Sequence, residues 1–116
     1  MSQITSFGGG GTPTPGLIIL NYTFIDTADS PYTVLSTDEF IGVNSTDGTV
    51  TILLPNGPTT GRVYIVKDNV GFAAINNIIV TTVGGSVLID SETTAVINSS
   101  FESLQFLFNG TEYLIF

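Results

Sequence analysis

The closing stretch "LQFLFNGTEYLIF" (104–116) decides how this chain is read. Asn-Gly between two alternating apolar runs is the strongest short-range signal for a β-hairpin. With Asn109 and Gly110 as the turn, Phe108 is expected opposite Thr111, Phe106 opposite Tyr113 and Leu104 opposite Ile115. That face is apolar, as a half-buried hairpin requires. The other face carries Leu107, Leu114 and Phe116 beside Gln105 and Glu112. A hairpin apolar on both sides needs cover on both sides, and an isolated one is marginal in water.

The rest of the chain repeats this chemistry. From Leu17 onward, "LIILNYTF", "YTVL", "EFIGV", "TVTILL", "VYIVK", "NIIVTT", "VLI", "TAVIN" and "SLQFLF" are rich in Val, Ile, Thr, Tyr and Phe. Turn-forming "DSP", "TDG", "PNGP", "DNVG", "VGG" and "NSS" separate them. No window shows the i, i+3, i+4, i+7 pattern of an amphipathic helix. The expectation is an all-β module of short antiparallel strands, a compact sandwich or barrel over 17–116. Val50, Ile52 and Leu54 should share one face, Tyr64 and Val66 another, and "NNIIVTTV" should be a central strand. Pro55 and Pro58 around Asn56-Gly57 should end a strand at Leu54. Asp47-Gly48 should close a hairpin or a short loop.

A chain of 116 residues has room for one core. It is 42% hydrophobic and only 10% charged, with a mean hydropathy of +0.43. No run approaches the ~18 apolar residues of a membrane span; "GLIIL" stops at Asn21. "MSQITSFGGGG" lacks the basic and apolar regions of a secretory signal. The surplus apolar surface is therefore expected inside the domain or between copies of it. Arg62 and Lys67 are the only basic residues against ten acidic ones, for a net charge of −8. Two cations cannot neutralise a nucleic acid backbone or hold an anionic membrane, so neither is an expected partner. Without cysteine, no disulfide framework exists.

Residues 1–16 stand apart. "SFGGGGTPTPG" supports neither helix nor central strand and reads as a flexible Gly/Pro-rich arm. Ile4 and Phe7 are apolar side chains on its polar tip and are candidate anchors for a partner's pocket. The competing reading is a plain disordered terminus.

Motifs for chemistry are lacking. With no histidine or cysteine, Ser-His-Asp and Cys-His schemes and nearly all zinc sites are excluded. Asp38 and Glu39 are adjacent, so on a strand they would point to opposite faces and could not work as an acid/base pair. Asp47, and Asp68 with Asn69, offer oxygen ligands on loops, but turn formation explains them better than calcium does. No cofactor or metal is expected. Tyr22, Tyr32, Tyr64 and Tyr113 are candidate stacking platforms for a sugar, against the simpler reading of packed strand tyrosines.

The stretch "YTVLSTDEFIGVNSTDGTVTILLPNGPTTGRVYIVKDNVGFAAINNIIVTT" (32–82), with the closing "LQFLFNGTEYLIF", resembles a module of bacteriophage fibres and other virion appendages. The resemblance lies in "YTV", "VTILLP" before a Pro/Gly turn, "GRVYIVKD", "AAINNIIV", and an apolar strand followed by Asn-Gly and a last strand. It covers roughly Tyr32 to Phe116 and brings no catalytic or cofactor residues. It implies a homotrimer packed about a threefold axis, with Leu107, Leu114 and Phe116 as candidate subunit interface. Three such side chains on each of three subunits would contribute on the order of 10–25 kcal/mol gross, before association costs. The short arm plus one module suits a non-enzymatic capsid-decoration, cement or head-fibre protein located in the virion. Its arm would grip the major capsid protein or another virion protein. The alternative is a small tail-fibre or baseplate appendage that binds a host surface glycan.

Overall fold

The structure, a computed structural model, describes residues 18–116. Among these residues lie nine strands: β1 (Tyr22–Asp26), β2 (Tyr32–Thr33), β3 (Phe40–Asn44), β4 (Val50–Leu54), β5 (Val63–Asp68), β6 (Ile78–Thr82), β7 (Ala95–Ile97), β8 (Ser103–Phe108) and β9 (Tyr113–Ile115). Single 3-10 turns at Thr27–Asp29 and Val83–Gly85 are the only helical elements among the described residues. The fold is all-β, as the strand-rich sequence requires.

The strands form two mixed sheets, one ordered β1-β3-β5-β8-β9 and the other β2-β4-β6-β7. Through β6 the chain alternates between them, so each strand returns to its own sheet one coil later and in the same direction. Tyr22, Phe40 and Ile65 consequently lie in one row, as do Tyr32, Ile52 and Val80. These pairings are parallel, which corrects the expectation of antiparallel strands. Antiparallel pairing is confined to β5–β8, β8–β9 and β6–β7. Alternation along a strand reports which side chains face inward and says nothing of the neighbour's direction.

The first crossing shows how the chain changes sheets. Asp26 Oδ1 accepts from the Ala28 N–H (2.9 Å), and the Asp26 N–H donates back to Asp29 Oδ2 (3.0 Å). This reciprocal cap lifts the chain off β1 and delivers it to β2 through a cis Ser30–Pro31 bond. Asp47-Gly48 closes the short loop between β3 and β4, and since those strands lie in different sheets it is not a hairpin. Strand β4 ends at Leu54, where Pro55 stops the ladder.

One core fills the space between the sheets. Val50, Ile52 and Leu54 of β4, Ile78 and Val80 of β6, Ile41 and Val43 of β3, and Tyr64 and Val66 of β5 are buried together. Strand β6 is interior to its sheet. The closing hairpin adds Phe106, Phe108 and Tyr113. Its register differs from the sequence expectation, because Phe108 pairs with Tyr113, Leu107 with Leu114 and Phe106 with Ile115. Asn109 is the reason. Its Oδ1 accepts from the N–H groups of Thr111 and Glu112 (2.9 Å each), and its own N–H donates to the Glu112 carbonyl (3.0 Å). The loop therefore runs Asn109–Glu112. Because the slip is even, every side chain keeps its expected face.

Candidate functional site

Strand parity gives the five-stranded sheet an outward face of unusual composition. Tyr22 and Phe24 of β1 lie in the same rows as Phe40 and Gly42 of β3, then Ile65 and Lys67 of β5. At the far edge Val63, Leu107 and Leu114 form the last row. Phe116 continues past β9, with its N–H donating to the Gln105 carbonyl (3.2 Å). Tyr22 is 53% exposed, Phe24 48% and Phe116 54%. Asp26 and Lys67 are the charged strand residues on this face among the described residues, and Asn44, Ser103 and Gln105 are its further polar ones.

The structure thus brings Leu107 and Leu114 together as direct cross-strand partners and places Phe116 beside them. Leu107 is half-buried; Leu114 and Phe116 are exposed. Tyr22, Phe24 and Phe40 belong to the same surface, which sequence reasoning missed. The signal was present in "NYTFI", which is apolar on both strand faces. At this end Tyr22 packs against Phe40 with ring centroids 5.8 Å apart, and its hydroxyl accepts from Asn69 Nδ2 (3.0 Å). Gly42 makes room for this arrangement, since a Cβ there would lie 2.9 Å from both the Tyr22 hydroxyl and Asn69 Oδ1. Ile4 and Phe7, the candidate anchors, and the arm 1–16 lie outside the described residues.

Two of the carboxylates, Asp68 and Asp38, hold connections together through hydrogen bonds. Asp68 is fully buried at the end of β5. Its Oδ1 accepts from the N–H groups of Gly71 (2.9 Å), Val70 and Phe72 (3.3 Å each). Its Oδ2 accepts from Phe101 (2.8 Å) and Ala73 (3.0 Å). Burial alone would raise the carboxyl pKa, but these donors, led by Phe101, outweigh it and hold the group below the usual range. The carboxylate ties the β5–β6 connection to the β7–β8 connection, and its lone pairs are taken. Asp47 is exposed on its loop.

Asp38 lies between β2 and β3, is buried and works in the same way. Thr23 Oγ1 and the Tyr32 hydroxyl donate to it at 2.6 Å, and the Leu35 N–H at 2.8 Å. Burial opposes ionisation here too; the Thr23 and Tyr32 hydroxyls, the Leu35 N–H and nearby Arg62 reverse it and lower the pKa. Burial and the bond to Asp38 in turn push the Tyr32 hydroxyl up to about 12. Glu39 points elsewhere, accepting from the Asn21 N–H (2.7 Å).

Beside Asp38 lies a cavity of about 400 Å³, lined by Val34 and Ser36 from the β2–β3 connection and by Pro55, Gly57, Pro58, Thr59, Arg62 and Tyr64 from β4 through β5. Arg62 donates to the carbonyls of Ser36 (2.8 Å) and Asp38, and its guanidinium stacks 4.2 Å over the Tyr64 ring. Of the candidate tyrosine platforms, Tyr22 alone is exposed. Tyr32 is half-buried, and Tyr64 and Tyr113 are buried, with the Tyr113 hydroxyl donating to the Pro55 carbonyl (2.6 Å).

No known protein family matches the chain, and no curated protein is similar to it.

Proposed function

We propose that the chain is a non-enzymatic structural protein of a bacteriophage virion: a homotrimeric β module fixed to the particle by its N-terminal arm, serving as capsid decoration, cement or head fibre. The observation that carries this reading is the outward face of the five-stranded sheet. Tyr22 and Phe24 at one edge and Leu114 and Phe116 at the other are exposed on this one face, with Phe40, Ile65 and Leu107 half-buried between them, and exposed apolar faces mark association sites. Copies of the same sheet supply a cover of matching chemistry, and closed symmetric homo-oligomers are the common outcome. The resemblance of Tyr32–Phe116 to fibre modules supports three copies and the virion setting.

Attachment is tested by deleting residues 1–16 and adding the protein to undecorated particles. The truncated protein should keep the oligomeric state of the full chain and fail to bind. Full decoration by the truncated protein would remove the anchor role of Ile4 and Phe7. A second reading, a tail-fibre or baseplate appendage that touches a host glycan, is favoured by the cavity at Arg62. On that reading the purified protein should compete with virus for host cells.

A further inference from the structure

The chain carries two cations against ten carboxylates, yet among the described residues neither cation makes a direct salt bridge, Arg62 acting on the Asp38 carboxylate only at longer range. Lys67 Nζ donates to the Phe101 carbonyl, and Arg62 to the carbonyls of Ser36 and Asp38. Arg62 is the more notable of the two because it lines a cavity. Two backbone carbonyls and the Tyr64 ring fix its guanidinium in place, so little ordering entropy is left to lose on binding. Those two bonds leave other N–H groups of its five-donor fork available.

The remaining lining completes a recognisable chemistry. Ser36 and Thr59 are exposed hydroxyl residues at the rim. Tyr64 is 1% exposed and lines the cavity, and its hydroxyl has no hydrogen-bond partner among the described residues. Pro55, Pro58 and Val34 supply apolar walls. A small concave site with apolar walls and a few convergent polar groups is the usual form of a small-ligand pocket, and ~300 Å³ is enough for one.

We infer that this cavity binds an acidic sugar, with the sugar carboxylate on Arg62, ring hydroxyls on Ser36, Thr59 and Tyr64, and the apolar ring face against Pro55 and Pro58. One guanidinium fork matches one planar carboxylate. A phosphate would draw on further cations, which the chain does not place here, and its second charge would meet the −8 field. The hydroxyl groups argue for a hydroxylated ligand over a bare carboxylate. None of the lining residues belongs to the outward sheet face, so the site is complete in a single copy. It deepens the glycan reading but does not depend on the trimer.

The test is a titration of isotope-labelled full-length protein followed by amide NMR shifts, with D-glucuronate, N-acetylneuraminate, glucose and acetate as separate probes. At least one acidic sugar should give saturable shifts centred on Arg62, Tyr64 and Thr59, with a dissociation constant of about a millimolar. Glucose and acetate should bind at least about tenfold more weakly. Arg62→Gln should weaken the acidic sugar about tenfold or more. Thr59→Val, at an exposed rim position, should weaken it about threefold and serves if Arg62→Gln does not fold. Absence of saturable shifts with both acidic sugars overturns the proposal. Equal binding of acetate overturns the sugar frame and leaves a peptide or free carboxylate as the ligand.

Discussion

The two sheets share a core and differ on their outer surfaces. The four-stranded sheet turns Thr33, Thr51 and Thr81 outward among Leu53, Ile79 and Val96, so threonine hydroxyls interrupt its aliphatic side chains. The five-stranded sheet turns out the aromatic Tyr22, Phe24 and Phe40 with Val63, Ile65, Leu107 and Leu114, and its polar residues Asp26, Asn44, Lys67, Ser103 and Gln105 lie among them. Inward, both are chiefly apolar and largely buried. One core therefore explains the inner faces of both sheets and leaves the outer face of the larger one unaccounted for within a single chain. In the proposed trimer, other copies cover that face and with it Tyr22, Phe24, Leu114 and Phe116, a part of the apolar surface the single chain exposes.

The edges of the two sheets allow a matched test. Leu114 on β9 is 37% exposed and Val96 on β7 is 41% exposed, both facing outward on edge strands. Leu114→Asp would place like charges in a desolvated contact and should weaken association by on the order of 4 kcal/mol. Val96→Asp should leave the solution mass unchanged. Sedimentation of the two variants decides whether the sheets differ in the way claimed, and equal behaviour would erase the distinction.

The next largest effect falls on the joint between the sheets. Asp68→Asn replaces an acceptor of five backbone N–H groups by an amide whose NH₂ must face donors. It should cost about 3 kcal/mol in urea unfolding of the individual subunit. Acid should act on the same groups more gradually. Asp38 and Asp68 have folded pKa values below their ordinary 3.8, so the unfolded chain takes up protons first as pH falls. Their stabilisation is complete well above pH ~4 and is lost as the pH drops from there through the folded values. Urea midpoints at neutral pH and near pH 3 should show this decline, and Asp68→Asn should flatten it. A midpoint that rises on acidification would contradict the assignment. The smallest effect is expected at Ser45, whose buried Oγ has no hydrogen-bond partner among the described residues. Ser45→Ala should be neutral or stabilising by up to about 1 kcal/mol.

The legible and illegible parts of the fold separate along physical lines. Side-chain alternation was readable, because burial of every second residue leaves a period of two in "TVTILLP" and "RVYIVKD". Strand direction was not, because parallel and antiparallel neighbours accept the same alternation. What makes β1, β3 and β5 parallel is the crossing of each connection to the other sheet, a tertiary event with no local signature. The hairpin register was missed for a related reason. Asn-Gly signals a turn, but whether Asn109 sits inside a two-residue turn or caps a longer loop depends on its side chain reaching Thr111 and Glu112. At the candidate sites, Leu107 and Leu114 could be grouped from the sequence because both fall on the second face of a local hairpin, whatever its register. Tyr22 and Phe24 join them only across the whole width of the sheet. Arg62 was visible only as one of two cations until the fold set it between two connections.

The most direct test of the central claim is the solution mass of the purified protein, measured by light scattering behind a sizing column. A trimer covering its own sheet faces should give about three times the 12.2 kDa chain mass. A clean monomer across a wide concentration range would contradict it, and the outer face of the five-stranded sheet would then be a surface that water alone covers.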